Sequence, residues 1–314
     1  MDRLELEGMS DAAVRDLVPS VWRDDLLANA ERRRSGPIAS TSFRVGSRSR
    51  LTPSDAARFT GDDDFHLVAR AVCEAHVLPR KELFETWEAA LVITRAHAHR
   101  LRGPRARVMD LAGGHGLLAL AILVLNPECP SAVVVDKRKP DSHERLCDVF
   151  VRQWPRLRGR VRFVEASVEQ ATPSPDTLLV SVHACGGLTD LILELAVGGG
   201  APVAVVPCCH RALARPRELA ARLRDADERG TAYEAPFALD VARFAALKRE
   251  GFDVDAAILP REITPQNRVL LGAPAEPDAE ATRADETGEA AGVGWEALAV
   301  SLPDSPWRRY AQRA

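Results

Sequence analysis

The sequence has no apolar run long enough to cross a bilayer. The longest, Leu117 to Leu125, covers nine of its 314 residues, whereas a spanning helix needs roughly 20. The opening Met-Asp-Arg-Leu-Glu-Leu-Glu lacks the basic-then-apolar order of a secretory signal, which makes a cytoplasmic protein the expectation. Six cysteines at irregular spacing are too few for a disulfide scaffold and fit a reducing compartment. There is no internal repeat. Neither charge sign dominates: the formal net charge is −3, which on its face argues against a nucleic-acid partner. With 46% hydrophobic and 28% charged residues, the chain is neither disordered, collagen-like nor a coiled coil.

The balanced charge hides two opposed segments. Arg32, Arg33, Arg34, Arg44, Arg48 and Arg50 stand together with Glu31 as the single acid among them. Glu276, Asp278, Glu280, Asp285, Glu286 and Glu289 face Arg283 alone. Such segments serve either as solvated surface or, for the arginines, as a nucleic-acid contact.

Three zones follow. Residues 1–104 are helical in character, with apolar residues at helical spacing in Asp64–Cys73 and Leu83–Ile93. A polar stretch, Ser35 to Arg50, interrupts them as a loop, and Thr52-Pro53 resembles a helix start. Residues 105–272 alternate short apolar strands with helices. Arg105–Asp110, Ala132–Asp136, Val161–Glu165, Thr177–Val182 and Pro202–Val206 are the first five strands, and Val254–Leu259 and Arg268–Gly272 the last two. Continuous apolar strands belong to a parallel sheet buried on both faces, so the expected class is α/β, doubly wound and Rossmann-like. Residues 273–314 read as a flexible acidic linker and tail.

The first strand runs into Asp110-Leu111-Ala112-Gly113-Gly114-His115-Gly116. Glycines where a strand turns into a helix let the backbone approach a ligand and point amides at it. The next strand ends in Asp136, placed to accept bonds from both hydroxyls of a ribose. Gly114 to Ala119 also fits the loose dinucleotide pattern, so NAD competes. Asp110 argues against it, because a carboxylate there would face a pyrophosphate but suits the ammonium of a methionine-type cofactor. Asp-Leu-Ala-Gly-Gly-His-Gly resembles the signature of the class I S-adenosylmethionine (SAM) methyltransferases. The resemblance implies SAM as cofactor, with Asp110, Ala112, Gly114, Gly116 and Asp136 around it. It also implies that Ala166 and Ser167, after the third strand, hold the adenine, although Ser167 equally suits an ordinary cap.

Strand four runs into His183-Ala184-Cys185-Gly186-Gly187-Leu188-Thr189-Asp190, and strand five into Pro207-Cys208-Cys209-His210. Ligands in open α/β sheets sit beyond these strand ends. Three readings compete for the cluster. Zinc is disfavoured, because Cys208 and Cys209 are adjacent whereas paired zinc cysteines are spaced by about two to four residues, so no metal is expected. Cysteine packing as a small hydrophobe is the second reading. The third is catalysis, with His183, His210 or Asp190 as base and Cys185 or Cys208 as a less favoured nucleophile.

The two motifs look like those of a methyltransferase group that includes the eukaryotic tRNA 2′-O-ribose methyltransferases and several methyltransferase-like proteins. That resemblance implies SAM-dependent methyl transfer, with RNA as the leading acceptor, a small molecule or peptide as the alternative, and a non-catalytic SAM-binding regulator as a third reading. The sequence departs from the tRNA enzymes in lacking an N-terminal zinc-finger spacing, having only Cys73 with His66 and His76. Related proteins share a Lys-Glu segment like Pro79-Arg80-Lys81-Glu82, which implies Lys81 or Glu82 near the carboxylate or amine of SAM; a solvated helix start is the other reading. Asn267 and Arg268 either reach the substrate or tie down a turn.

Overall fold

Strands that are apolar at every position set the architecture, because successive side chains point to opposite faces and both faces must then be covered. A computed structural model describes residues 10–34, 44–184, 186–208, 216–226 and 234–275. The helices α1 (Asp11–Asp16), α2 (Ser20–Arg34), α3 (Asp64–Ala75) and α4 (Arg80–Ala96) come first. There follow β1 (Arg107–Leu111), α5 (Leu117–Leu125), β2 (Ser131–Asp136), α6 (Asp141–Gln153), β3 (Val161–Glu165), β4 (Thr177–Ser181), α7 (Gly187–Gly199) and β5 (Val203–Val205). The described elements end with α8 (Pro216–Ala226), α9 (Ala235–Arg249), β6 (Phe252–Ile258) and β7 (Arg268–Pro274).

These strands form one sheet in the order β3-β2-β1-β4-β5-β7-β6. The first five are parallel, as the apolar runs imply. β7 departs from the expected parallel sheet and runs against both β5 and β6. The physical reason is the connection: β6 and β7 are joined by a short loop with no crossover helix, and a hairpin of that kind can only be antiparallel.

Val108, Ala132, Val134, Leu178 and Val180 face one layer, built by α3, α4, α5 and α6. Met109, Leu111, Val133, Val135 and Leu179 face the other, to which α1, α2, α7, α8 and α9 contribute. Helix α5, Leu-Leu-Ala-Leu-Ala-Ile-Leu-Val-Leu, is apolar all round and is buried from Leu117 to Val124, as such a helix must be. The described residues before β1 join the two layers and form no separate core. Val14, Val18 and Trp22 join one layer, while Val72, Leu83 and Ile93 join the other.

Thr52 opens only a short 3-10 turn, Pro53–Arg58, in which the Asp55 carboxylate accepts bonds from the Thr52 amide (3.0 Å) and hydroxyl (2.8 Å). Asn267 and Arg268 are anchors. Asn267 Nδ2 donates to Leu259 O (2.9 Å) and Asp25 (3.3 Å), and Arg268 Nε donates to Asp240 (2.6 Å). No helix among the described residues is long and apolar enough to cross a membrane.

Candidate active site

The strand order reverses between β1 and β4, and the crevice beyond their carboxyl ends is where an open α/β sheet receives its ligand. On the β1 side the glycine turn is held in left-handed backbone. Ala112 has φ 53°, Gly114 51° and Gly116 81°. A non-glycine residue in that region costs about 1–3 kcal/mol, a strain that clusters at ligand sites. Each glycine has its own reason. A Cβ on Gly113 would stand 2.7 Å from Asp110 Cγ and 2.8 Å from Val134, and one on Gly116 would stand 2.8 Å from Val134 and 3.2 Å from His143. At Gly114 the same position has nothing within 4 Å, so the turn presents open space to a ligand.

Asp136 accepts the Gly114 amide (3.0 Å) and is half-buried at the end of β2, where a ribose would lie. Asp110 departs from the expectation of a ligand-facing carboxylate. It is 2% exposed, sits behind Gly113, and accepts the Ala119 amide (3.3 Å) at the start of α5. Burial pushes its carboxyl up to about 7, with the nearby Asp136 charge adding to the rise and the Ala119 bond opposing it. Asp110 braces the turn from below. Ala166 donates its amide to Asp136 O (3.0 Å), and Ser167 directs both amide and hydroxyl to Gln170 in a capping arrangement. Both therefore sit on the rim beside Asp136.

Sequence reasoning missed a second tie on the turn. His115 Nδ1 bonds the Ser142 hydroxyl, and His143 Nδ1 donates to the His115 carbonyl (3.0 Å), so α6 starts against the turn. Burial holds the His143 imidazole below its usual value. His115 stands inside the glycine motif, and that position was the available signal.

On the β4 side, His183 leaves the strand end half-exposed, with Nε2 buried and 3.6 Å from Oε2 of Glu85. Glu85 on α4 is 1% exposed and ion-paired with Lys81. Glu82, one turn earlier, lies above the ordinary carboxylate range mainly through burial; Glu85 pushes it the same way, while His183, Lys81 and Arg50 oppose. The strap before α4 is pinned to it: Lys81 N donates to Ser47 O (2.8 Å), Arg80 N to Ser49 O (2.9 Å) and Leu51 N to Leu78 O (2.9 Å).

Asp190 is corrected from candidate base to structural anion. It is 1% exposed, and both its oxygens are taken by Arg243, at 2.7 and 3.0 Å. Arg243, fully buried, also bonds Asp240 (3.2 Å) and the Gly186 carbonyl (3.3 Å), so the network holds the loop after β4 from behind. A carboxylate sealed from solvent and paired in two bonds with a buried guanidinium is not placed to take a proton from an acceptor. Cys208 is half-buried and in no disulfide. Cys185, Cys209 and His210 lie outside the described residues. Among the described residues no group of three or more His, Cys, Asp or Glu could hold a metal.

Residues 87–216 match a family described as "Methyltransferase domain". A "Glutathione S-transferase C-terminal domain-containing protein" from Xenopus laevis is 24% identical over 110 residues; the match covers 34% of this chain and 16% of that protein. An O-methyltransferase family protein from Burkholderia thailandensis superposes with a TM-score of 0.35 at 15% identity, covering 81% of this chain and 70% of its own. Magnesium protoporphyrin IX methyltransferase from Synechocystis PCC 6803, solved with SAM, has a TM-score of 0.36 at 12% identity, covering 76% of this chain and all of its own. Likenesses this distant carry no argument about chemistry. The matched span runs from α4 past β5 and so contains the glycine turn and Asp136, which makes this stretch a methyltransferase domain.

Proposed function

We propose that the enzyme methylates a polar oxygen or nitrogen of a small molecule or peptide at the end of β4. The observation that carries this reading is Glu85, which lies 3.6 Å from His183 at the end of β4 and is neutralised by Lys81, so the reacting edge offers no surplus cation to a polyanionic backbone and suits a small acceptor. Bound SAM supplies an electrophilic methyl group on a positively charged sulfur. Gly114, between Ala112 and Gly116, offers open backbone to its amino-acid and sugar portions, Asp136 takes the ribose hydroxyls, and Ala166 and Ser167 edge the adenine. His183 accepts the acceptor's proton, while Glu85 stands 3.6 Å from Nε2 as a nearby charge. Positioning by the two strand ends supplies most of the acceleration, since a held geometry replaces a bimolecular encounter. Cys208 lines the β5 side. Residues 105–272 form the methyltransferase domain, and residues 44–104 cover the cofactor.

A second reading, methylation of RNA, is favoured by one observation: Arg44, Arg48 and Arg50 lie on the strap at the mouth of the same crevice. Kinship with the group that includes tRNA ribose methyltransferases, suggested by His183–Asp190 and Cys208–His210, belongs with that reading. Mass spectrometry of cells lacking the protein separates the two. The small-molecule reading expects a missing methylated metabolite and an unchanged nucleoside profile, and a missing methylated nucleoside would replace it with RNA.

A further inference from the structure

The edge of the sheet opposite the candidate active site carries a cavity. It opens at the amino ends of β1 and β4 and has a volume of about 340 Å³. The loop after α4 forms one wall, Arg105 and Ala106 before β1 a second, and Pro175 and Asp176 before β4 a third. From Ala106 to the glycine turn the chain runs through all of β1, at about 3.3 Å per residue, so the cavity lies roughly 20 Å from the cofactor crevice.

Its walls are fixed by backbone bonds. The Arg100 and Leu101 amides both donate to the His97 carbonyl, at 2.9 and 3.2 Å, and Leu101 is fully buried. The Arg107 amide donates to the Asp176 carbonyl (3.1 Å), which ties the start of β1 to the turn before β4. A ligand entering such a preformed cavity meets little cost of reorganisation.

The charges in it do not balance. Arg100, Arg102 and Arg105 line the cavity with His99, and Asp176 is the one acid among the lining residues. Arg105 pairs with Asp176 (3.3 Å) and Arg102 with Glu128 (3.1 Å), but these side chains are between 45% and 82% exposed, and ion pairs so open to water hold weakly. The Arg100 side chain has no hydrogen bond or ion pair among the described residues, and its Nε is buried without an acceptor. A guanidinium drawn out of water with no partner is unfavourable, so the group calls for an acceptor from outside the described chain.

We propose that this cavity is a second binding site, for a small, multiply charged anion of the phosphate type, gripped by Arg100 with the help of Arg102 and Arg105. The surplus of cations over Asp176 favours more than one negative charge on the ligand. Planar guanidinium forks match phosphate oxygens in pairs, whereas Pro104, Ala106 and Pro175 offer too little apolar surface for a ligand recognised by its rings. The volume is at the small end of ligand pockets, which fits an anion of metabolite size. Nothing in the site depends on the identity of the methyl acceptor.

The test is calorimetric titration of the full chain with inorganic pyrophosphate, alone and in the presence of S-adenosylhomocysteine. Wild type is expected to bind one-to-one, with an affinity that S-adenosylhomocysteine leaves within about twofold. Arg100→Ala should weaken binding by about tenfold or more, and Arg102→Ala by about threefold. Asp176→Asn removes the opposing charge and should tighten binding by about two- to fivefold, a gain that a merely structural role for this loop would not give. Arg95→Ala, exposed on α4 and outside the lining, should leave the affinity unchanged. A wild type that does not bind pyrophosphate would overturn the proposal, as would binding indifferent to Arg100, Arg102 and Asp176, the mark of an adventitious ion only. Displacement of pyrophosphate by S-adenosylhomocysteine would put the anion in the crevice and overturn it too. The Arg102 side chain is 69% exposed, so its variant reads out even if Arg100→Ala disturbs folding.

Discussion

Oε2 of Glu85 lies 3.6 Å from Nε2 of His183, across the gap between α4 and the end of β4. Nε2 is buried and Glu85 is 1% exposed, so the pair is closed off from solvent. At that separation Glu85 faces Nε2 as a nearby charge, not as a hydrogen-bond partner. Glu85→Gln is expected to lower kcat by about 10²-fold with KM for SAM nearly unchanged, and His183→Ala to lower it by about 10²–10⁴-fold. Steady-state kinetics with the acceptor found by mass spectrometry checks this; equal losses in SAM affinity would reassign both residues to binding.

Asp110 gives a pH dependence with a definite sign. Its folded pKa is raised from 3.8 to about 7, so between those values the folded protein holds a proton that the unfolded chain has lost. Stability from this group is therefore complete at low pH and declines as pH rises toward 7. Asp110→Asn should remove the decline and narrow the difference in Tm between pH 5 and pH 8 by about 4 °C or more. Thermal unfolding at the two pH values measures it, and an unaltered difference would mean the carboxyl is not sealed as the structure has it.

The opposite sign holds for His97. Burial pushes its imidazole down to about 4, and the Arg100 charge adds to the effect. The unfolded chain takes up a proton near 6.5 that the folded protein refuses, so stability is lost as pH falls from 6.5 toward 4. His97→Gln should flatten the acid limb of the stability profile, as read from denaturant midpoints at pH 4.5 and pH 7.

The two middle glycines should separate packing from strain. Gly113→Ala forces a Cβ against Asp110 and Val134 at 2.7–2.8 Å and should destabilise the fold strongly. Gly114→Ala meets no atom within 4 Å and bears only the left-handed backbone cost of about 1–2 kcal/mol. Comparative Tm values test the order, and equal losses would contradict it.

Asp190 is predicted to matter for stability first. Asp190→Ala leaves Arg243 buried without its main partner and should cost about 3–5 kcal/mol, whereas replacing both with apolar residues should cost less. Urea unfolding of the single and double variants decides between this and a proton-transfer role.

Much of the sheet is legible in the sequence because short apolar runs such as Ala132–Val135, bounded by turn residues, read as strands buried on both faces. The glycine turn is legible for the same reason: Gly113, Gly114 and Gly116 stand between a strand and a helix. The direction of β7 is not, since Arg268–Gly272 reads the same forwards or backwards until its hairpin with β6 is seen. Glu85 is hidden too. On its own helix it passes for a solvated carboxylate, and only the approach of His183 from a distant strand gives it a role. Arg243 reads as a surface cation, and its burial follows from two aspartates, Asp190 and Asp240, that the sequence does not place together.

The central claim is that SAM sits on the turn from Asp110 to Gly116 with Asp136 at its ribose. Calorimetric titration of wild type and Asp136→Ala with S-adenosylhomocysteine tests it most directly. The account predicts one-to-one binding by the wild type, weakened by about tenfold or more in the variant; an affinity that Asp136→Ala leaves unchanged would contradict it.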